Sequence, residues 1–302
     1  MSVATALIGL DWGTTSLRAW RLGADGAVLE GRDGGPGIMK VEGGAFEAAL
    51  EAFCGDWLRA HPAARLIASG MIGSKQGWRE APYCPCPASV SALAAHTVEV
   101  PLAGGRALTV LPGVCFTDPA TGVPDVMRGE ETQIMGALPG RGAHIAVLPG
   151  THSKWAWVQD GAIVSFATFM TGEVYAALLG HTILGRLMQA DAPPDAAAFA
   201  RGVAYGLEAP ASLLSRLFSA RTLGLFGTLD AARLPAYLSG LLIGTEIGGA
   251  LAMRGRPQRV TLLGSAPLVA LYRDALAAAG ISGAEGPADC AVAGMARIAG
   301  TR

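Results

Sequence analysis

Apolar and polar residues alternate in short runs at two places in the chain, and both places share one plan. Residues 8–20, IGLDWGTTSLRAW, pass from an apolar run through a polar Gly-Thr turn into a second alternating run. Residues 145–157, IAVLPGTHSKWAW, repeat this with six of thirteen positions identical and no gap. Period-two alternation marks half-buried strands. A second turn in each copy, Ala24-Asp25-Gly26 or Gln159-Asp160-Gly161, leads into a third strand-like run. Each copy therefore predicts a three-stranded antiparallel meander.

After the first meander, Phe46, Leu50, Phe53 and Trp57 recur at helical spacing and predict a helix over 45–60, followed by a short buried strand over 65–70. The second half carries more helix, over 173–188, 196–207, 210–221 and 234–253, then a strand over 259–264 and a helix over 267–279. A helix over 129–138 ends at Pro139-Gly140, where the domain boundary is expected. A small-residue helix over 289–299 is suited to lying close against a neighbouring backbone. The pattern is that of an α/β chain with an N-terminal lobe, 1–139, and a C-terminal lobe, 140–302.

Composition narrows the chemistry. The chain has 302 residues, half of them hydrophobic and 16% charged, with a formal charge of -1 and no basic block. That removes the electrostatic footprint of a nucleic-acid binder. Five scattered cysteines (Cys54, Cys84, Cys86, Cys115, Cys290) fit reduced thiols in a cytoplasm, and Cys84-Pro85-Cys86 lacks a second pair at zinc spacing. The first residues carry no signal-peptide pattern. The apolar run over 241–253 is broken by Glu246 and glycines, which predicts a packed helix and no membrane partner. The Ala/Leu-rich second half offers a surface for a homodimer.

The two polar turns suggest an anion. Gly13 and Gly150 let backbone N–H groups converge on a phosphate. Thr14, Thr15 and Ser16, with Thr151 and Ser153, add hydroxyl donors. Two such turns facing each other from tandem lobes would grip a polyphosphate. His152, standing where the first copy has Thr15, is expected to donate to the nucleotide or pack against it. Asp11 has Leu148 as its counterpart, so the first copy alone offers a carboxylate at the strand end, which suits magnesium; capping of the turn is the alternative. Trp20 and Trp157 hold equivalent positions and are expected in the core.

These residues carry a resemblance. IGLDWGTTS resembles the first phosphate motif of the actin, sugar-kinase and heat-shock chaperone superfamily, LPGTHS its second, and VTLLGSAPLVALY (260–272) its adenosine motif. DWGTTSLRAW, SGMIGSKQGW, DVMRGEETQ, LPGTHSKW and FMTGEVYAALLG together resemble the 2-dehydro-3-deoxygalactonokinase family from about residue 7 to the C-terminus. The resemblance implies two tandem ribonuclease H-like lobes of the actin-like ATPase type around a central nucleotide cleft, with ATP and Mg2+ as cofactors. It implies transfer of the γ-phosphoryl group to the 6-hydroxyl of 2-dehydro-3-deoxy-D-galactonate in galactonate breakdown, with Gly264 and Ser265 at the adenosine. One departure is Leu148-Pro149, where the superfamily often has an acidic residue and an extra glycine.

Roles at the reacting end follow from the same resemblance. An acidic residue at the start of the connecting helix orients the nucleophile, and the register of GEETQ points to Glu131 as the base, with Glu130 and Asp125 as alternatives. The acidic sugar needs a cation, and the loop 70–80 supplies Ser74, Lys75, Gln76, Trp78 and Arg79 just beyond a strand end. Lys75 or Arg79 would hold the carboxylate and Gln76 the hydroxyls, unless Trp78 caps the core and the cations are solvated. Arg18 either faces the cleft or the outer surface, and Lys154 is expected to point away from the phosphates. Competing readings are a kinase for another sugar or sugar acid, an ATP or polyphosphate hydrolase, and a nucleotide-dependent sensor.

Overall fold

The structure is a computed structural model that describes residues 5–300. Its first meander is β1 (Leu7–Trp12), β2 (Ser16–Leu22) and β3 (Val28–Pro36), followed by helix α1 (Phe46–Ala60) and strand β4 (Arg65–Ser69). Short strands β5 (Tyr83–Pro85) and β6 (Ala88–Ser89) lead to α2 (Val90–Ala95), then to β7 (Val98–Pro101), β8 (Ala107–Val110), β9 (Gly113–Thr117), β10 (Pro124–Met127) and helix α3 (Glu130–Ala137). The first sheet runs β3-β2-β1-β4-β8-β7. Strands β1 and β2 pair antiparallel, β1 and β4 parallel, and β4 and β8 parallel. A small sheet, β10-β9-β5, stands apart from it.

The second meander is β11 (Ala143–Leu148), β12 (Ser153–Gln159) and β13 (Ala162–Phe169). Helices α4 (Thr171–His181), α5 (Ala196–Glu208), α6 (Leu213–Leu217), α7 (Ser219–Leu225) and α8 (Leu234–Arg254) follow, then β14 (Arg259–Leu262), α9 (Ala266–Ala278), β15 (Ser282–Glu285) and α10 (Cys290–Gly300). The second sheet runs β15-β14-β11-β12-β13-β6, with β11–β14 and β14–β15 parallel. Meander, then two parallel strands on the far side of the meander's first strand, is the order in both sheets. The repeat seen in thirteen residues of sequence is thus a repeat of sheet topology.

By internal contacts the chain forms two compact units: residues 1–143 with 157–166 and 287–302, and residues 144–156 with 167–286. Helix α10 thus returns to the first unit. The reason is close helix packing. A Cβ on Gly136 of α3 would overlap the Cys290 carbonyl, and one on Gly294 of α10 would overlap the Thr132 carbonyl. Gly9 of β1 leaves room for Met295, whose sulfur would lie 2.9 Å from a Cβ there.

The core of the first unit forms where Ile8, Leu10 and Trp12 of β1 meet Leu50, Cys54 and Trp57 of α1. In the second unit, Gly202 and Gly206 of α5 interlock with Gly240 and Gly244 of α8. Helix α8 is long and apolar enough to cross a membrane by length and composition, and 56% of its most apolar window is buried within the protein. Trp20 and Trp157 are only half-buried, while Trp12 and Trp155 are the core tryptophans.

Candidate functional site

In the first unit, the polar turn between β1 and β2 leaves Thr14, Thr15 and Ser16 exposed. Gly13 N–H donates to the Ser16 carbonyl (2.9 Å), and the N–H groups of Ile38 and Met39 donate to the carbonyls of Gly13 (3.0 Å) and Thr14 (3.2 Å). Gly37 lies so close beneath the turn that a Cβ would overlap the Thr15–Ser16 backbone. Carbonyls are thereby engaged, while among the described residues the N–H groups of Thr14 and Thr15 reach no acceptor of the chain. An exposed turn with idle N–H donors is suited to an anion.

Asp11, next to last in β1, lies opposite Arg18 of β2, and cross-strand neighbours meet. Arg18 Nη2 donates to Asp11 Oδ2 at 2.5 Å. The structure therefore gives Arg18 a carboxylate of the protein itself as partner. Among the described residues no group of three potential metal ligands occurs. A lone, partly exposed carboxylate still fits Mg2+, which takes few protein ligands when phosphate oxygens and water supply the rest.

Two glycines bring the start of α3 to this carboxylate. Gly70, at φ +94°, would carry a Cβ 2.9 Å from the Trp12 carbonyl and 3.4 Å from Asp11 Oδ1. Gly129, at φ +108°, would carry one 3.4 Å from the Gly70 Cα. Both positions demand the conformation that glycine alone adopts without strain. Asp11 and the paired glutamates of α3 thus share one corner of the first unit.

The two glutamates differ in what they can reach. Glu131 is 1% exposed. Its Oε2 accepts the Gly129 N–H (2.7 Å) and its Oε1 accepts the Thr132 hydroxyl (2.9 Å). Thr132 has one proton, so Ser69, whose Oγ is 2.8 Å from Thr132 Oγ1, donates to it. Burial first, then the charge of Glu130, pushes the Glu131 carboxyl up to about 8. The expectation that Glu131 meets the sugar hydroxyl is corrected on this point, since the second residue of α3 turns inward and both its oxygens are engaged. Glu130 is half-buried, with Oε2 accepting the Arg128 N–H at 3.0 Å. Asp125, the other candidate, lies in β10 opposite Phe116.

In the loop after β4, Lys75, Gln76 and Arg79 are exposed. The Trp78 ring stacks on Phe46 (6.0 Å, 19°) and meets Trp12 edge-on (6.4 Å). It caps the hydrophobic core, which corrects its expected role as a substrate contact; aromatic pairing of this kind is packing. Ser74 is 9% exposed, and its hydroxyl has no partner.

In the second unit, Thr151 and His152 are exposed, and among the described residues their N–H groups also reach no acceptor of the chain. The start of α4 backs this turn: a Cβ on Gly172 would lie 2.5 Å from the Gly150 carbonyl oxygen, and Glu173 N–H donates to the Thr151 carbonyl at 3.0 Å. His152 Nε2 is 2.5 Å from Glu173 Oε2. The TGE of FMTGEVYAALLG thus serves the turn, a link that sequence spacing does not reveal.

Ser153 departs from expectation. It is fully buried, and its hydroxyl donates to Glu246 Oε1 at 2.7 Å, so its side chain is not offered to a phosphate. The same carboxylate accepts from Trp155 Nε1 (2.8 Å), Thr171 Oγ1 (2.5 Å) and Tyr272 OH (2.6 Å). Burial raises the Glu246 pKa while these four donors pull it down. Glu246, read in the sequence only as an interruption of an apolar helix, ties β12, α4 and α9 together. Lys154 is likewise buried, with Nζ donating to Thr168 Oγ1 at 2.8 Å.

Gly264, at φ +154°, approaches Pro149, with 3.4 Å from a Cβ to the Pro149 carbonyl oxygen, and Ser265 opens α9. A cavity of about 230 Å³ lies between Gly150, Gly172, Tyr175, Leu268 and Leu271, and a larger one of about 640 Å³ shares Tyr175 and Leu271 with it. Apolar concavity beside polar donors is the usual form of a small-molecule site.

The chain is a carbohydrate kinase with an α/β fold of mixed sheets. It belongs to the 2-keto-3-deoxy-galactonokinase family, whose model matches residues 11–298. A Rhizobium meliloti protein named "Probable 2-dehydro-3-deoxygalactonokinase" is 40% identical over 304 residues, 99% of this chain and 98% of the relative. The 2-dehydro-3-deoxygalactonokinase of Escherichia coli is 36% identical over 276 residues, 90% of each chain. A crystal structure of a Sinorhizobium meliloti protein assigned as a 2-dehydro-3-deoxygalactonokinase superposes with a TM-score of 0.86 at 39% identity, covering 98% of this chain and 97% of that one.

Proposed function

We propose that this chain, in a cytoplasm, transfers the γ-phosphoryl group of ATP to the 6-hydroxyl of 2-dehydro-3-deoxy-D-galactonate. The observation that carries the reading is the exposed turn with idle N–H donors at the same point of two topologically equivalent sheets, in a chain of this family. Phosphoryl transfer needs positioning and charge neutralisation more than covalent help. The N–H groups of Thr14, Thr15, Thr151 and His152, with the hydroxyls of Thr14, Thr15, Ser16 and Thr151, hold phosphate oxygens.

Asp11 holds the Mg2+ that, when bound, neutralises charge on the phosphates. Gly264 and Ser265 border the nucleoside, whose base enters the cavity beside Tyr175 and Leu271. Glu130 accepts the proton of the attacking hydroxyl, because a base must lie within hydrogen-bond reach of that proton and Glu131 does not. Glu131 positions the start of α3. Gln76, on the exposed loop, meets the sugar hydroxyls. In this reading each repeated sheet belongs to a ribonuclease H-like lobe that carries one phosphate-binding turn. ADP formation measured with and without the sugar acid tests it: turnover should depend on the acid, and equal turnover in its absence would make the protein a hydrolase.

A further inference from the structure

Arg128 closes the short run between β10 and Gly129. Its Nη2 donates to the Ala81 carbonyl at 2.9 Å, and its guanidinium carbon lies 4.4 Å from the centre of the Tyr83 ring. These contacts fix the plane of the group and direct it toward the loop after β4. There Nη1 would lie 2.9 Å from a Cβ on Gly73, so glycine at this position is what lets the cation approach.

Two of its nitrogens, Nε and Nη1, are buried and have no hydrogen-bond partner among the described residues; the hydroxyl of Ser74, next in sequence to Gly73, is in the same condition. No carboxylate of the described residues forms an ion pair with Arg128. Glu130, the acid nearest in sequence, accepts from the Arg128 backbone N–H. Buried donors without acceptors are rare and costly, and a buried cation without an anion more so. Three idle donors from two neighbouring segments therefore mark a place where acceptor oxygens belong.

We propose that Arg128 and Ser74 bind the carboxylate and adjoining keto oxygen of the sugar acid, making Arg128 the residue that selects an acid over a neutral sugar. A 2-keto carboxylate presents three acceptor oxygens at one end of the molecule, matching Nε and Nη1 of Arg128 and the Ser74 hydroxyl. Guanidinium is suited to this, being always charged and weakly hydrated. Lys75 and Arg79, exposed on the same loop, lack any such desolvated setting. The assignment rests on the proposed function, since it places one end of that substrate while Glu130 serves the other.

Steady-state kinetics of the full chain test it, using 2-dehydro-3-deoxygalactonate and its neutral carboxamide. Arg128→Gln should raise KM for the acid by about 10- to 100-fold, the range for hydrogen bonds to a charged group. KM for ATP should stay within about twofold, and the carboxamide, poor with the parent protein, should suffer no further loss. Ser74→Ala should raise KM for the acid by roughly tenfold and carries the test if Arg128→Gln does not fold. An unchanged KM for the acid in both variants, or equal losses with acid and carboxamide, overturns the assignment. Calorimetric titration of the acid separates the two levels. Binding without phosphoryl transfer in the parent protein refutes the kinase reading alone, and undiminished binding in the variants refutes this one.

Discussion

Glu131 shows what one buried carboxyl does to both stability and catalysis. Its ordinary value of 4.5 holds in the unfolded chain, whereas the folded protein holds it at about 8. The folded state therefore binds the proton more tightly, and stability is lost as pH rises between these values. Below the lower value the group is protonated in both states and costs nothing; above about 8 the cost is complete. Glu131→Gln removes the ionisation and keeps an oxygen for the Gly129 N–H. Its melting temperature relative to the parent should accordingly climb from pH 5 to pH 9, and a difference that stays flat with pH would refute the shift.

The same substitution should leave kcat within a few-fold. Glu130→Gln should lower it by about 10²–10⁴, the usual contribution of a general base, with nucleotide binding intact. Two adjacent glutamates are indistinguishable in the motif RGEETQ. Burial, which depends on how α3 lies against α10 and how Thr132 meets Ser69 of β4, is what separates them, and no residue spacing encodes it.

At the level of elements, glycine contacts decide where helices go. Gly294 sits where α10 crosses α3, and a Cβ there would overlap the Thr132 carbonyl, a backbone atom unable to move aside cheaply. Gly294→Ala should destabilise the protein by about 1–3 kcal/mol, the usual cost of overpacking, and should also disturb Thr132 and with it the Glu131 hydrogen bond. Chemical denaturation measures the first effect; a neutral result would mean that α10 shifts freely.

The small-residue composition of 289–299 made close packing legible in the sequence, and the meanders were legible because alternation and turn residues agree. The helix expected over 210–221 was not continuous. Ser215, Ser219 and Thr222 turn their hydroxyls back onto carbonyls three residues earlier, and the segment breaks into a 3-10 turn, α6 and α7. Side chains that compete for backbone carbonyls weaken a helix that hydrophobic spacing alone would extend. Glu246 was hidden for a different reason: its four donors come from segments as far as 93 residues away in the chain.

For the molecule as a whole, the repeated sheet order makes the differences between copies informative. Both turns leave N–H donors idle, but Asp11 in the first is Leu148 in the second, so metal dependence should reside in the first copy alone. A ligand that binds only the folded state stabilises it by about 2.7 kcal/mol at 100 times its Kd, or roughly 4 °C for a chain of this size. ATP with Mg2+ should produce a shift of that order in the parent protein, and ATP with a chelator a smaller one from the N–H groups alone. Asp11→Asn should abolish the extra shift that Mg2+ produces, without lowering the shift seen with chelator. Arg18 sharpens the comparison, since the Asp11 substitution frees its cation next to the proposed phosphate turn and opposes any general loss of anion affinity. A Mg2+-dependent shift that survives in Asp11→Asn would place the metal on the phosphates without the protein and remove the one functional asymmetry that the duplicated turns provide.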